Sequence, residues 1–171
     1  IRCKDGTLKT ISWYSNNIQD EKGETTGSIA IGIDIAERKT AEKSIRESRE
    51  KFERLFMDNP EAAIYVDSDF HVLDANPRFI ELFGYSLDEV KGKRLLDLIV
   101  PEDKKEEGEA LDREAKKAYI AHDTVRKRKD GTLVPVSISA APITVEEQPI
   151  GYVGLYRDIT ERKRYEERLS A

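Results

Sequence analysis

A single cysteine, Cys3, stands among 171 residues. Neither an internal disulfide nor a cysteine-built zinc site can therefore form. The two histidines, His71 and His122, are too few for a histidine-rich metal centre. No apolar run approaches the roughly 18 residues of a membrane span, and the opening Ile1-Arg2-Cys3-Lys4-Asp5 is polar, unlike a secretory leader. A basic excess is also missing: 29 Lys and Arg face 34 Asp and Glu, a net charge of -5, which argues against a partner read through its phosphate backbone. No nucleophile–base pair is visible either, so the expectation is a non-catalytic piece of a longer chain. It is expected to be cytoplasmic and without nucleic-acid or direct membrane contact, the parent chain being free to carry a membrane anchor elsewhere.

Charge is what the sequence has in plenty. Charged residues make up 37% and hydrophobic residues 38%, enough for one modest core and some long solvated helices. The chain also repeats itself. Lys4-Asp5-Gly6-Thr7-Leu8 recurs as Lys129-Asp130-Gly131-Thr132-Leu133, an offset of 125. Asp34-Ile35-Ala36-Glu37-Arg38-Lys39 recurs as Asp158-Ile159-Thr160-Glu161-Arg162-Lys163, an offset of 124. The one-residue difference falls between Ile18/Ile143 and Gly27/Gly151, in a polar stretch that reads as a hairpin loop. A period of this size is a domain plus a linker, not a solenoid unit.

Residues 1–35 thus read as the tail of one domain, 36–57 as a linker helix, 58–160 as a complete domain and 161–171 as the start of an exit helix. In the linker, Ala41, Ile45, Ser48, Phe52 and Leu55 are spaced 4, 3, 4 and 3 apart, a heptad seam. It fits either a two-chain coiled coil or a helix lying on its own domain; Asp58-Asn59-Pro60 stops it. Strands 8–18 and 28–35 form a hairpin too small to be stable alone, so they are expected to join a sheet edge or another chain.

Within 58–160 the order reads β-β-α-α-α-α-β-β-β. Ala62–Asp67 and Phe70–Asp74 are short strands. Asn76-Pro77 opens a helix that Gly84 closes, and Ser86-Leu87-Asp88-Glu89 is a capping box. Leu95, Leu96, Leu98 and Ile99 form a buried turn or short helix. A longer helix is expected from Pro101 to about Tyr119, with Leu111, Ala115 and Tyr119 on its thin apolar face. Three strands follow, His122–Lys129, Leu133–Thr144 and Ile150–Asp158, the first two joined at the tight Lys129-Asp130-Gly131-Thr132 turn. One antiparallel sheet with helices on one face, an α+β fold, is the economical packing.

These segments carry a resemblance. Asp74-Ala75-Asn76-Pro77-Arg78-Phe79 with Phe83-Gly84-Tyr85-Ser86, Gly92-Lys93 with Asp97-Leu98-Ile99-Val100-Pro101-Glu102-Asp103, the Lys129-Asp130-Gly131-Thr132 turn and the Asp158-Ile159-Thr160-Glu161-Arg162-Lys163 exit together resemble PAS sensor domains, in order and spacing across residues 58–163. The 1–39 copy resembles the last two strands and exit of a preceding PAS domain.

The resemblance implies a five-stranded antiparallel sheet cupping a pocket, flanked by amphipathic helices that dimerise and carry signals, most often to a histidine kinase. Such pockets hold haem, flavin, a metabolite or nothing. Covalent flavin chemistry needs a helix cysteine that 58–171 lacks, and the glutamine such domains place in the last strand is Tyr156 here. Haem needs a histidine on the long helix, which has none; His122 and His71 read as polar strand residues. The pair His122-Asp123 resembles part of a phosphohydrolase metal site whose other ligands are missing. The cofactor is left open. By the family register Val136, Ile138, Ala140, Tyr152, Gly154 and Tyr156 face the helices, opposite Leu111, Ala115 and Tyr119, either as packed core or as a small-ligand pocket. That register also turns Arg126 inward, whereas local alternation turns Val125 inward. Asn76 reads as a helix cap. Asp158, Thr160 and Arg162 mark the exit, where Asp158 and Arg162 have the spacing of an i,i+4 ion pair.

Overall fold

A computed structural model describes residues 1–170; Ala171, the last residue of the expected exit helix, lies outside the described residues. Two compact units divide at Phe52 and Glu53. In the first, β1 (Ile11–Gln19) and β2 (Thr25–Asp34) form a separate two-stranded antiparallel sheet. Of the two expected partners, a sheet edge or another chain, the first is not found among the described residues of this chain. The long helix α1 (Ala36–Met57) begins in this unit. Its ladder of Arg38–Glu42, Lys43–Glu47 and Arg46–Glu50 pairs supports the exposed helix surface only weakly, being screened by solvent.

The second unit holds a five-stranded antiparallel sheet in the order β4-β3-β7-β6-β5. The strands are β3 (Ala62–Val66), β4 (Val72–Ala75), β5 (Ile120–Lys127), β6 (Leu133–Val145) and β7 (Gln148–Asp158). Between β4 and β5 come α2 (Pro77–Phe83), α3 (Leu87–Val90), α4 (Leu95–Ile99), a 3-10 turn at Glu102–Lys104 and α5 (Lys105–Ala115); α6 (Thr160–Leu169) follows β7. Asn76 caps α2 by accepting from the Phe79 amide at 2.9 Å. Gly84 ends it at φ 77, a left-handed conformation that costs glycine little. α2 thereby presents Phe79 and Phe83 to the sheet, where both rings meet the Tyr156 ring edge-on at 5.9 and 5.4 Å.

The expected helix from Pro101 to Tyr119 is shorter. A 3-10 turn precedes it, it ends at Ala115, and β5 begins at Ile120 rather than His122. Lys116 and Lys117 follow Ala115 as a turn, so Tyr119 falls outside the helix. The inward side of α5 is the ridge Glu107–Leu111–Ala115, one residue per turn. Gly108 lets α5 lie close on α4, since a Cβ there would meet Leu96 at 3.1 Å and Val100 at 3.3 Å.

The internal repeat survives as register. Ile11 pairs with Asp34 as Val136 pairs with Asp158, and Trp13 with Gly32 as Ile138 with Tyr156. Both hairpins bulge at the matching place, after Ile18 and after Ile143. In both Lys-Asp-Gly-Thr turns the aspartate Oδ1 accepts from the threonine amide and hydroxyl, at 3.0 and 2.7 Å from Asp5 and at 2.9 and 2.7 Å from Asp130.

Candidate functional site

The sheet and α5 enclose a cavity of about 50 Å³. β6 and β7 pair Ile138 with Tyr156 and Ala140 with Gly154, which sets these four side by side on the inner face; all four line the cavity, with Tyr152 one step along β7. Leu111 and Ala115 close it from α5. Two expected pocket residues lie elsewhere. Val136 is buried in the core but does not line the cavity. Tyr119, beyond the end of α5, is 64% exposed, and its hydroxyl meets Ser139 Oγ at 3.4 Å. The helix ends too early to carry it inward, a correction to its expected place.

Arg126 is where the family register puts it. Strand β5 pairs it with Val134 and Thr124 with Val136, so the inward row is Thr124 and Arg126, both buried. Val125 lies between them on the opposite side of the strand, a correction to the local alternation. A buried guanidinium needs a counter-charge, and Glu107 supplies it. Arg126 Nη1 donates to Glu107 Oε1 at 3.1 Å, to Thr124 Oγ1 at 3.3 Å and to the Val125 carbonyl at 3.0 Å. Thr124 also donates to Glu107 Oε1 at 2.5 Å. Burial alone would raise the Glu107 pKa, but the hydrogen bonds from Thr124, Lys104 and Arg126 outweigh it and hold the carboxyl at about 2. Glu107 is thus ionised at neutral pH and takes up the charge of Arg126.

A second carboxyl, Asp112, was not singled out in the sequence. It lines the same cavity. Its Oδ2 is buried without a hydrogen-bond partner, and Arg94 Nη2 stands off at 3.9 Å. Burial pushes its pKa up to about 6, against the pull of Arg94, Lys116 and Arg126. Burial likewise raises the Tyr156 hydroxyl to about 12, so it stays protonated. Glu107, Leu111 and Ala115 share one spacing, four apart, a signal that would have found Glu107; nothing in the pattern singles out Asp112.

Neither histidine nor cysteine lines the cavity. Its residues therefore fit neither an axially ligated haem nor a cysteinyl flavin, and about 50 Å³ is far below the roughly 300–1,000 Å³ of ordinary ligand pockets. Among the described residues no group of three or more potential metal-ligating His, Cys, Asp or Glu side chains gathers.

The flanking helices are fastened by polar side chains. Asn76 is fully buried. Besides the α2 cap, its Oδ1 accepts from the Ala63 amide at 2.8 Å, and its Nδ2 donates to the carbonyls of Phe56 at 3.2 Å, Asn59 at 3.4 Å and Glu61 at 2.9 Å. The residue read as a cap thus also ties the end of α1 to β3 and α2. At the exit, Asp158 and Arg162 do not pair with each other, a correction. Asp158 Oδ1 accepts from the Thr160 amide at 2.8 Å in the turn that leads into α6, and its Oδ2 faces Arg128 at 3.6 Å. Arg162 reaches instead to Asp123 on β5 and to Glu166 at 3.5 Å. Along α1, Ala41, Ile45, Phe52 and Leu55 are exposed; no helix among the described residues is long and apolar enough to cross a membrane.

This is an α+β domain whose antiparallel sheet cups a small interior cavity and whose two ends are tethered helices, the build of a sensory module. The PAS fold model matches residues 57–164, so the chain belongs to the PAS family, whose domain is a sensory module and not a catalyst. The chain is 26% identical to the sensor protein FixL of Bradyrhizobium diazoefficiens over 172 residues, covering 96% of this chain and 34% of that protein. It is 34% identical to sporulation kinase E of Bacillus subtilis over 71 residues, 42% of this chain and 10% of that one. The chain thus spans about a third of one of these relatives and a tenth of the other. Among solved structures, the PAS domain of an HTR-like protein from Haloarcula marismortui superposes with a TM-score of 0.58 at 23% identity, covering 71% of this chain and 99% of that one. The LOV protein of Rhodobacter sphaeroides does so with a TM-score of 0.62 at 20% identity, covering 72% and 73%. Both likenesses show the fold.

Proposed function

We propose that residues 58–160 sense a small molecule in the cavity between α5 and the sheet. The flanking helices α1 and α6 relay its occupancy to an output domain, within a dimeric, cytoplasmic part of a sensor histidine kinase. The observation that carries this reading is the cavity itself, a mainly apolar space inside the core with a few polar groups, those of Arg126, Asp112 and Tyr156, at its wall. The kinase context is supported by the relatives, and dimerisation by the exposed seam of Ala41, Ile45, Phe52 and Leu55. The matched register and bulge of the two hairpins support reading residues 1–35 as the last two strands of a preceding PAS domain.

The test is native mass spectrometry of the purified chain against its denatured mass. A dimer carrying a reproducible extra mass is expected. A dimer at the bare mass that no small molecule shifts would leave a spacer that passes helix register from a neighbouring sensor.

A further inference from the structure

The cavity is small, but a second space lies directly outside it. This is a cleft of about 490 Å³ bordered by Arg94, Glu109 and Lys116. Phe70 and Asp112 line both spaces, so their side chains form the partition between them. The two sides of that partition are held differently. Phe70 stands in the β3–β4 turn at φ 64, a left-handed conformation that is strained for an aromatic residue. Its amide donates to the Asp67 carbonyl at 3.1 Å, and its carbonyl accepts from the Leu95 amide at 3.0 Å. Its ring stacks on Tyr152 at 4.8 Å between centroids. This side is pinned by backbone and core together.

The other side belongs to α5, and there the hold weakens along the helix. In the first turn Glu107 is bound to β5 through Thr124 at 2.5 Å and Arg126 at 3.1 Å. Further on, Asp112 Oδ2 is 3.9 Å from Arg94 Nη2, and the Lys116 ammonium stands 5.5 Å over the Phe70 ring. Asp112 and Lys116 are four apart, so both contacts span the same mouth. Asp112 Oδ2 is also buried without a hydrogen-bond partner. Burial of its charge outweighs the pull of Arg94, Lys116 and Arg126, and a movement that admits water relieves that cost.

Resting on the reading of the cavity as a ligand site, we propose that the stretch from Leu111 to Lys116 is its lid, fixed at Glu107 and driven open by the buried Asp112 carboxylate. Moving Asp112 away from Phe70 joins cavity and cleft into one site. The closed cavity of about 50 Å³ is then the resting form. The cleft it opens into already lies within the roughly 300–1,000 Å³ of ordinary ligand pockets. The open site accepts a molecule that the closed cavity excludes.

The experiment is thiol labelling of the full chain with iodoacetamide in native buffer, with Cys3→Ser as background. Ala115→Cys places a thiol on the inner side of the lid, at a position 2% exposed, and Val136→Cys places one in the core away from the cavity, at 0%. Local opening costs less than global unfolding, so Ala115→Cys should react about tenfold or more faster than Val136→Cys. Its rate should also change little in low urea, because a lid exposes little surface, whereas the Val136→Cys rate should climb steeply. Adding Asp112→Asn, which removes the buried charge, should slow Ala115→Cys several-fold. Leu111→Cys serves in place of Ala115→Cys if that variant does not fold. Equal rates with equal urea slopes at the two positions would overturn the lid and leave the cavity open to a ligand small enough for its closed form. An Asp112→Asn variant that labels as fast would overturn Asp112 as the group that drives opening. Fast labelling beside a native mass that no small molecule shifts would uphold the lid and remove the ligand-site reading.

Discussion

At the residue scale, two kinds of buried polar group hold the PAS unit, and they respond oppositely to change. Asn76 is saturated. Its side chain satisfies two amides and contacts three carbonyls from β3, α2 and the end of α1. Asn76→Ala leaves the buried Ala63 amide without its acceptor and the carbonyls of Phe56 and Glu61 without the Asn76 donor, each such buried group costing roughly 1–3 kcal/mol. A loss of about 3 kcal/mol or more in urea unfolding is expected, and a change under about 1 kcal/mol would show the network is not needed. Glu107 and Asp112 differ in sign. The Glu107 pKa is depressed from 4.5 to about 2, so its contribution is full above pH 4.5 and is lost as pH falls toward 2. Asp112 is raised from 3.8 to about 6, so its ionisation opposes folding increasingly as pH rises through that window. Glu107→Gln should therefore lower the melting temperature at pH 7 and much less near pH 2. Asp112→Asn should raise it at pH 7.5 and leave it nearly unchanged near pH 3. Melting curves that move in parallel at both pH values would contradict these assignments. Arg126 shows why such sites are only half legible in a sequence. Alternation of apolar residues favours Val125 inside, and only the carboxylate delivered from α5 makes the inward guanidinium affordable.

At the scale of elements, the pattern of the sequence predicts what local chemistry decides. Asn76, Pro77 and Gly84 bound α2, and the Lys-Asp-Gly-Thr turn joins β5 to β6, because caps and turns are set by a few adjacent residues. Longer reach is where it fails. The end of α5 depends on whether Tyr119 finds apolar neighbours across the sheet. The exit pairing depends on Asp158 being engaged by Thr160 and Arg128, while Arg162 pairs with Asp123. Spacing along one helix contains neither fact. The α1 seam is of the legible kind, and its consequence is testable. Ile45 and Leu55 are 69% and 66% exposed. Burying such side chains in a two-chain seam contributes roughly 1.5–3 kcal/mol each, and two to three heptads have little to spare. Ile45→Asp with Leu55→Asp should convert a dimer to monomer in sedimentation while the PAS unit keeps its melting temperature. A dimer that persists would place the interface elsewhere.

At the scale of the whole molecule, the repeat is the strongest sequence signal, because it is long-range information written as identity. The offsets of 125 and 124 predict a one-residue difference in hairpin loops. It appears between Asp20 and Glu24, whose backbones bond at 2.9 Å around three residues, where Glu146 and Glu147 alone make the corresponding turn with positive φ. What the repeat does not supply is a core for the first copy. Trp13, Ile29, Ile31 and Ile33 are each more than half exposed. Every member of the buried core cluster, by contrast, lies between Ala62 and Tyr156. That core is therefore complete without the hairpin, and deleting residues 1–35 should leave the thermal transition of the PAS unit within about 2 °C of the full chain, given that about 1 kcal/mol moves a domain of this size by roughly 4–8 °C. In hydrogen exchange of the full chain, β1 and β2 should exchange fast and β3 to β7 slowly, since a lone two-stranded sheet is marginal in water. Slow exchange in β1 and β2 would mean that their apolar residues are covered by a second chain, and disrupting the α1 seam should then release them.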